Sequence, residues 1–272
     1  MVSCAGARGV PEFGGADDGI RSAAPDSVHI GESDTQDNVT ITVDAMVVDR
    51  LTTALSLSHS GLAENIGIAP AARPYILDAT GAKLEAMSGG HDTENVQNLT
   101  MVFPGLTGAA GELTLVIPGL ELLELRGEEF SSAGRHAGEW RISFEWDGNF
   151  SSPESALEAT PKELAFGAGY IHVDAVSRTS LGVTVMGRIE GYGEAELQQF
   201  VIVPTMIANG TGATVGQVGG FHRENGEFML RFPTVEGERL QVEVPLVPKP
   251  SAESDAVTQY AGTVATFVLE VP

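Results

Sequence analysis

The chain repeats itself, and the repeat limits what it can fold into more than any other feature. Met101-Val-Phe-Pro104, a Gly-rich gap and Leu113-Thr-Leu-Val-Ile-Pro118 recur as Leu230-Arg-Phe-Pro233, a short gap and Leu240-Gln-Val-Glu-Val-Pro245. Upstream, Ile41-Thr-Val-Asp-Ala-Met46 recurs as Ile171-His-Val-Asp-Ala-Val176. Two copies in the same order imply two similar domains, each written as strands. Trp140, Ile142, Phe144 and Trp146 share one parity, while Arg141, Ser143, Glu145 and Asp147 share the other. Such alternation describes a half-buried antiparallel strand with one face in water. Leu240, Val242 and Val244 alternate with Gln241 and Glu243 in the same way, as do Phe228, Leu230 and Phe232 with Met229 and Arg231. Leu113, Leu115 and Ile117 lie opposite Thr114 and Val116, a less polar outer face that points to cover.

Strands spaced in this way, with turn chemistry between them, predict an all-β sandwich or barrel. Asp78-Ala-Thr-Gly81 and Glu224-Asn-Gly226 are turn candidates, because Gly and Asn accept positive φ at little cost. Leu120-Glu-Leu-Leu-Glu-Leu125 fits one helical turn or a bulged strand equally well. The reading divides the chain into a flexible acidic leader (1–37), a first sandwich (38–147), a linker (148–163) with Pro153 and Pro161, and a second sandwich (164–272). The closing strands are matched by aligning Gly138-Glu-Trp140 with Gly262-Thr-Val264.

A length of 272 residues and an apolar share of 42% suit two domains that each bury a core. The charge is lopsided: 15 Lys plus Arg against 37 Asp plus Glu, a formal net of −22. Such a surface repels phosphate backbones, so nucleic acid is excluded as a partner class. No run is apolar and long enough to read as a membrane helix.

Cys4 is the only cysteine, so no disulfide forms within the chain. Met1-Val-Ser-Cys4-Ala5 resembles the end of a bacterial lipobox, in which the cysteine is lipidated and becomes the mature N-terminus. The Gly-, Ala-, Ser- and Asp-rich residues after it have the composition of a tether. Cys4 is therefore the candidate lipidation site, and a lipid there is the expected link to a membrane.

Several pieces together resemble one group of bacterial domains. They are Thr42-Val-Asp-Ala45, Asp78-Ala-Thr-Gly81, Phe103-Pro-Gly-Leu106, Leu113-Thr-Leu-Val-Ile117 and Gly138-Glu-Trp-Arg-Ile-Ser-Phe144. They look like the immunoglobulin-like ectodomains of anti-sigma-factor-like cell-envelope proteins. The resemblance covers nearly everything after residue 37, and it implies two tandem immunoglobulin-like β-sandwich domains facing the envelope. Family members usually carry a membrane helix and often a cytoplasmic zinc-binding segment, neither of which is visible in these residues. The resemblance brings no catalytic residues with it.

Reactive chemistry is thin. Ala86-Met-Ser-Gly-Gly90 comes nearest a nucleophile elbow, but Ala replaces its first glycine and no helix pattern comes after it, so it reads as a loop. His172 and Asp174 lie two apart on one strand and share a face, a spacing that can supply two metal ligands. The first copy has Thr42 and Asp44 there, so a polar outer-face pair is the preferred reading. His91-Asp-Thr-Glu-Asn95 lacks the spacing and glycine of a calcium loop. Gly210-Thr-Gly212 and Gly216-Gln-Val-Gly-Gly220 read as turns among strands, without the helix start that holds phosphate. Asn38, Asn98, Asn149 and Asn209 head Asn-x-Ser/Thr triplets. Trp140 and Trp146 share parity with core residues and read as core.

The expected protein is a non-catalytic cell-surface or secreted binding protein, with no cofactor, no metal and an unknown protein or envelope component as partner. A regulatory ectodomain of an anti-sigma-factor-like protein is the alternative, and a hydrolase on a sandwich scaffold is the third reading.

Overall fold

The computed structural model describes residues 13, 16, 18–91, 95–106, 110–126, 129–150, 155–208, 212, 214–222, 225–235, 237, 239–249 and 262–270. It divides into two compact units, Met1–Ser152 and Pro153–Pro272. Both are nearly all β, with antiparallel pairing throughout and no closed barrel among the described residues. Among the described residues no helix is long and apolar enough to cross a membrane.

Among the described residues of unit 1, a short helix, α1 (Asp18–Ala23), is followed by ten strands. They are β1 (Val28–Gln36), β2 (Val39–Val48), β3 (Thr52–Ser60), β4 (Ile66–Pro70), β5 (Tyr75–Leu77), β6 (Lys83–Glu85), β7 (Ser88–His91), β8 (Asn98–Pro104), β9 (Gly111–Arg126) and β10 (Glu129–Trp146). One sheet runs β1-β2-β3-β8-β7 and the other β10-β9-β5-β6, with β4 also pairing β9. The core draws on both sheets, from Ile41, Val43, Leu55, Met101 and Phe103 to Leu115, Ile117, Trp140 and Phe144. These are the apolar parities of the sequence, so burial of the stripes brings the sheets face to face.

Unit 2 contains β11 (Ser155–Ala156), β12 (Glu158–Thr160), β13 (Glu163–Phe166), β14 (Gly169–Thr179), β15 (Gly182–Glu190) and one helical turn, α2 (Glu194–Leu197). It continues with β16 (Phe200–Ile202), β17 (Thr205–Ala208), β18 (Thr214–Gly216), β19 (Gly219–His222), β20 (Glu227–Phe232), β21 (Arg239–Pro248) and β22 (Val264–Glu270). Its sheets run β11-β14-β15-β20-β19 and β12-β22-β21-β17-β18, with β13 on β14 and β16 on β21. The wiring is that of unit 1: β14-β15-β20-β19 repeats β2-β3-β8-β7, and β22-β21-β17-β18 repeats β10-β9-β5-β6.

The repeated Val-Asp-Ala triplet is a repeated β-bulge. Pairing of β2 with β3 slips between Val43 and Ala45, and pairing of β14 with β15 slips between Val173 and Ala175. Asp44 and Asp174 are the extra residues. A bulge twists a strand and re-aims the residues beyond it. Here it changes which parity faces inward, so that Met46 joins Ile41 and Val43 in the core.

Several expectations need correction. The leader does not extend to residue 37: Val28–Gln36 is a strand on β2, closed by a two-residue turn in which Asp37 and Asn38 take φ of 45° and 70°. Both φ values are positive, as a tight hairpin requires, and Asp and Asn tolerate them without glycine. Ile20 and Ala23 of α1 are fully buried. In the expected linker, β11 pairs β14 and β12 pairs β22. Together β11 and β13 occupy the place that β1 holds alone in unit 1, while β12 between them joins the opposite sheet. Leu120–Leu125 is strand, continuous with β9 past a kink at Gly119 (φ 76°). The 86–90 stretch is not a loop, because Ser88–Gly90 belong to β7.

The closing strands align one residue away from the sequence match. Ile117 pairs Trp140 and Val244 pairs Ala265, so the residue equivalent to Trp140 is Ala265, not Val264. A one-residue slip swaps faces, which is why Val264 is exposed while Ala265 is buried. Val116 on the outer face of β9 is fully buried, so that face is covered.

Candidate binding groove

A concavity of about 580 Å³ opens on one side of unit 1 between its two sheets. One wall is β7 with the residues before it (Ala86, Met87, Ser88, Gly89 and His91), and the other is the turn Ala69–Pro74 that joins β4 to β5. Leu99, Met101 and Leu123 form the apolar floor. Local sequence explains the shape. Met101 and Leu99 face inward by strand parity, while small residues on both walls (Ala71, Ala72, Ala86 and Gly89) leave the space between the layers open. The walls are tied at the base, where the Ala86 N–H donates to Pro74 O at 2.8 Å and the Ala71 N–H to Gly119 O at 3.0 Å.

His91 is the polar group of the inner wall. Its ring lies 5.5 Å from that of Phe130, and its buried Nδ1 has no hydrogen-bond partner. Burial lowers its pKa below 6.5, with a further push from nearby His59. His59 is itself buried at the end of β3, with Nε2 3.3 Å from Val96 O. Burial lowers its pKa too, partly offset by that carbonyl. Both rings are thus held toward the neutral form, in which one ring nitrogen donates and the other accepts. Arg73 on the opposite wall reaches Glu85 at 3.5 Å, and Lys83 also pairs with Glu85 at 2.9 Å.

The residues singled out in the sequence mostly lie elsewhere. Ser88 borders the groove, but it sits three positions from His91 on one strand, so their side chains leave from opposite faces. Cys4, Asn209, Gly210, Glu224 and residues 92–94 of the His91–Asn95 stretch lie outside the described residues. Asn38 occupies the β1–β2 turn, Asn98 opens β8, and Asn149 donates to Asp147 at 3.0 Å. Trp140 and Trp146 are core residues. Gly216 ends β18, and Gly219 and Gly220 begin β19.

His172 and Asp174 share the outer face of unit 2 within a charged network. Glu163 approaches His172 Nδ1 at 3.1 Å. Glu190 lies 3.4 Å from its Nε2, within ion-pair reach but without a hydrogen bond. Arg188 bridges Asp174 (2.5 Å) and Glu190 (2.6 Å). Asp174 is therefore committed to a guanidinium, and among the described residues no three His, Cys, Asp or Glu side chains are grouped to hold a metal. Unit 1 has Thr42, Ser58 and Ser60 at the positions of His172, Arg188 and Glu190. There the Ser58 hydroxyl donates to Asp44 at 3.0 Å, and burial raises the Asp44 pKa against that hydrogen bond.

Sequence reasoning missed His91 as a groove residue. The available signal was a second repeat: Ser88-Gly-Gly-His91 matches Gly219-Gly-Phe-His222. Gly89 pairs Met101 as Gly220 pairs Leu230, and His91 pairs Leu99 as His222 pairs Phe228.

No family model matches the chain, and no curated protein matches it. Among solved structures it is similar to one described as the crystal structure of the conserved domain protein from Bacillus anthracis. The TM-score is 0.60 at 12% identity, over 98% of this chain and 96% of that one. At that identity the likeness is one of fold.

Proposed function

We propose that this protein is a non-catalytic binding protein of the cell envelope or exterior, made of two immunoglobulin-like sandwiches, with Cys4 as its lipid anchor. The observation that carries the binding role is the open, apolar-floored groove of unit 1, whose walls are β7 and the β4–β5 turn of the two facing sheets. The order β2-β3-β8-β7 facing β10-β9-β5-β6 supports the immunoglobulin-like reading, because it follows the ABED against GFC arrangement of such sandwiches. A disulfide between the sheets is not needed for that wiring, since tightly packed apolar stripes hold each pair together. The resemblance of the Val-Asp-Ala strand to envelope ectodomains favours a second reading, a regulatory ectodomain of an anti-sigma-factor-like protein.

The anchor is tested by feeding an alkyne fatty acid to cells that express the chain with its native upstream sequence. Label and membrane association are expected for the wild type and lost in Cys4→Ser. Membrane association that survives Cys4→Ser without label removes the lipoprotein part of the proposal. The binding role is opposed by turnover of a substrate that depends on a groove residue.

A further inference from the structure

We infer that the free edge of β7 takes an extended peptide segment of another protein as an added strand, one alternating apolar with basic side chains. This deepens the binding role proposed above and rests on it. Among the described residues β7 pairs with β8 alone, so its other edge offers unpaired backbone groups. Exposed edges of this kind accept strands, through main-chain hydrogen bonds for affinity and alternate side chains for specificity. Gly89 is exposed and carries no side chain that would stand over the groove it lines.

The groove lies directly beside this edge. Alternate side chains of an added strand would enter it about 7 Å apart, and a volume of about 580 Å³ has room for apolar side chains above Leu99, Met101 and Leu123.

Charge decides what the other face of the segment carries. The chain has a net charge of −22, and Glu85 and Glu121 lie next to the groove residues Ala86 and Ala69, while Arg73 is the charged side chain that lines the groove. Their present partners, Lys83 and Arg73 for Glu85 and Arg135 for Glu121, form exposed ion pairs. Pairs of that kind contribute little and exchange readily for an incoming cation, while the overall field attracts basic segments and repels acidic ones.

The test uses the full chain and a fluorescent, end-blocked octapeptide of alternating Lys and Val, with a Glu and Val octapeptide as control. Anisotropy should report binding of the Lys peptide that weakens with added salt, and no binding of the Glu peptide. Ala72→Trp, at an exposed wall position, and Gly89→Val should each weaken binding at least about tenfold, the loss expected from filling a central pocket. Hydrogen exchange should slow at Ser88–His91 when the Lys peptide binds. Affinity unchanged in both variants, or equal affinity for the Glu peptide, overturns the inference. Protection on other strands overturns the edge assignment and leaves a binding role standing. An oligosaccharide that binds in the groove where the Lys peptide does not also overturns the inference while keeping that role. Groove-dependent turnover of a substrate would instead remove the binding role itself.

Discussion

Trp140 in unit 1 and Ala265 in unit 2 hold the same register position, opposite Ile117 and Val244. The tryptophan fills the middle of its core, and its Nε1–H donates to Val39 O at 3.0 Å. The alanine fills almost nothing. Unit 2 obtains its volume from other positions: Phe166 and Phe200 meet edge to face at 6.0 Å, Tyr192 packs on Phe200 at 5.6 Å, and Phe267 stands where unit 1 has Ile142. The Tyr192 hydroxyl also donates to Phe166 O and accepts the Ala168 N–H, both at 2.8 Å. Two copies thus keep one wiring with different fillings. Wiring follows from strand alternation and the shared bulge, which tolerate few changes, whereas core volume can be redistributed as long as the total is kept. The surfaces diverged further: the uncharged Thr42, Ser58 and Ser60 of unit 1 stand where unit 2 has the ionisable His172, Arg188 and Glu190.

The comparison is sharpest at Trp140. Trp140→Ala is expected to cost about 3–5 kcal/mol, the range for removing a large buried aromatic side chain. Both tryptophans of the chain lie in unit 1, so Trp146 fluorescence reads the loss directly in urea unfolding. A loss below about 1 kcal/mol would mean that Trp140 does not anchor that core.

A smaller contrast lies at the turn after the bulged strand. In unit 1 Asp49 Oδ1 accepts the N–H groups of Leu51 and Thr52 at 2.8 and 2.7 Å, while in unit 2 Thr179 Oγ1 accepts that of Leu181 at 3.1 Å. Asp49→Ala should cost about 2–3 kcal/mol and Thr179→Ala about 1 kcal/mol, because two buried donors lose their partner in the first and one in the second. Equal costs in denaturant titrations would show that the number of these bonds does not set turn stability.

The least effect is expected with pH. His59 and His91 have pKa values lowered by burial from 6.5. The folded state therefore binds fewer protons than the unfolded one below that pH. Stability is fully present above about 6.5 and declines as pH falls from there toward the folded-state values. Asp44 acts in the opposite sense, since burial raises its pKa. Unit 2 carries Ile189 at the position of His59, so His59→Ile should flatten the decline of the fluorescence-detected Tm between about pH 7 and 5. An unchanged slope would assign the decline to other groups.

The parts legible in the sequence were those with a strong local signature. The parity of Trp140 to Trp146 and of Leu240 to Val244 matches burial residue by residue. Asp78 takes the turn its type implies, with its Oδ1 accepting the N–H groups of Thr80 at 2.8 Å and Ala82 at 2.9 Å. β1 was not legible because from Glu32 onward its side chains are polar on both faces, as suits an edge, and its turn lacks glycine. The two residues of β11 are too few for any period. Ser88–Gly90 read as a loop because glycines hide a strand whose role is to leave space. The groove could not be read at all, since its walls and floor come from separate elements of both sheets that meet only when the sheets pack.

By itself, the sequence determined that there are two copies, that they are built of strands and which side of the long strands meets the core. Alternation is a local property, enforced by the geometry of each residue with its neighbours. The tertiary structure alone decided that β1 and β11 pair into the sheets, that Ala265 rather than Val264 takes the place of Trp140, and that His91 meets the Ala69–Pro74 turn across an open groove. Those outcomes depend on which strands lie beside each other and on how much volume their side chains fill together, and neither is written in any single segment.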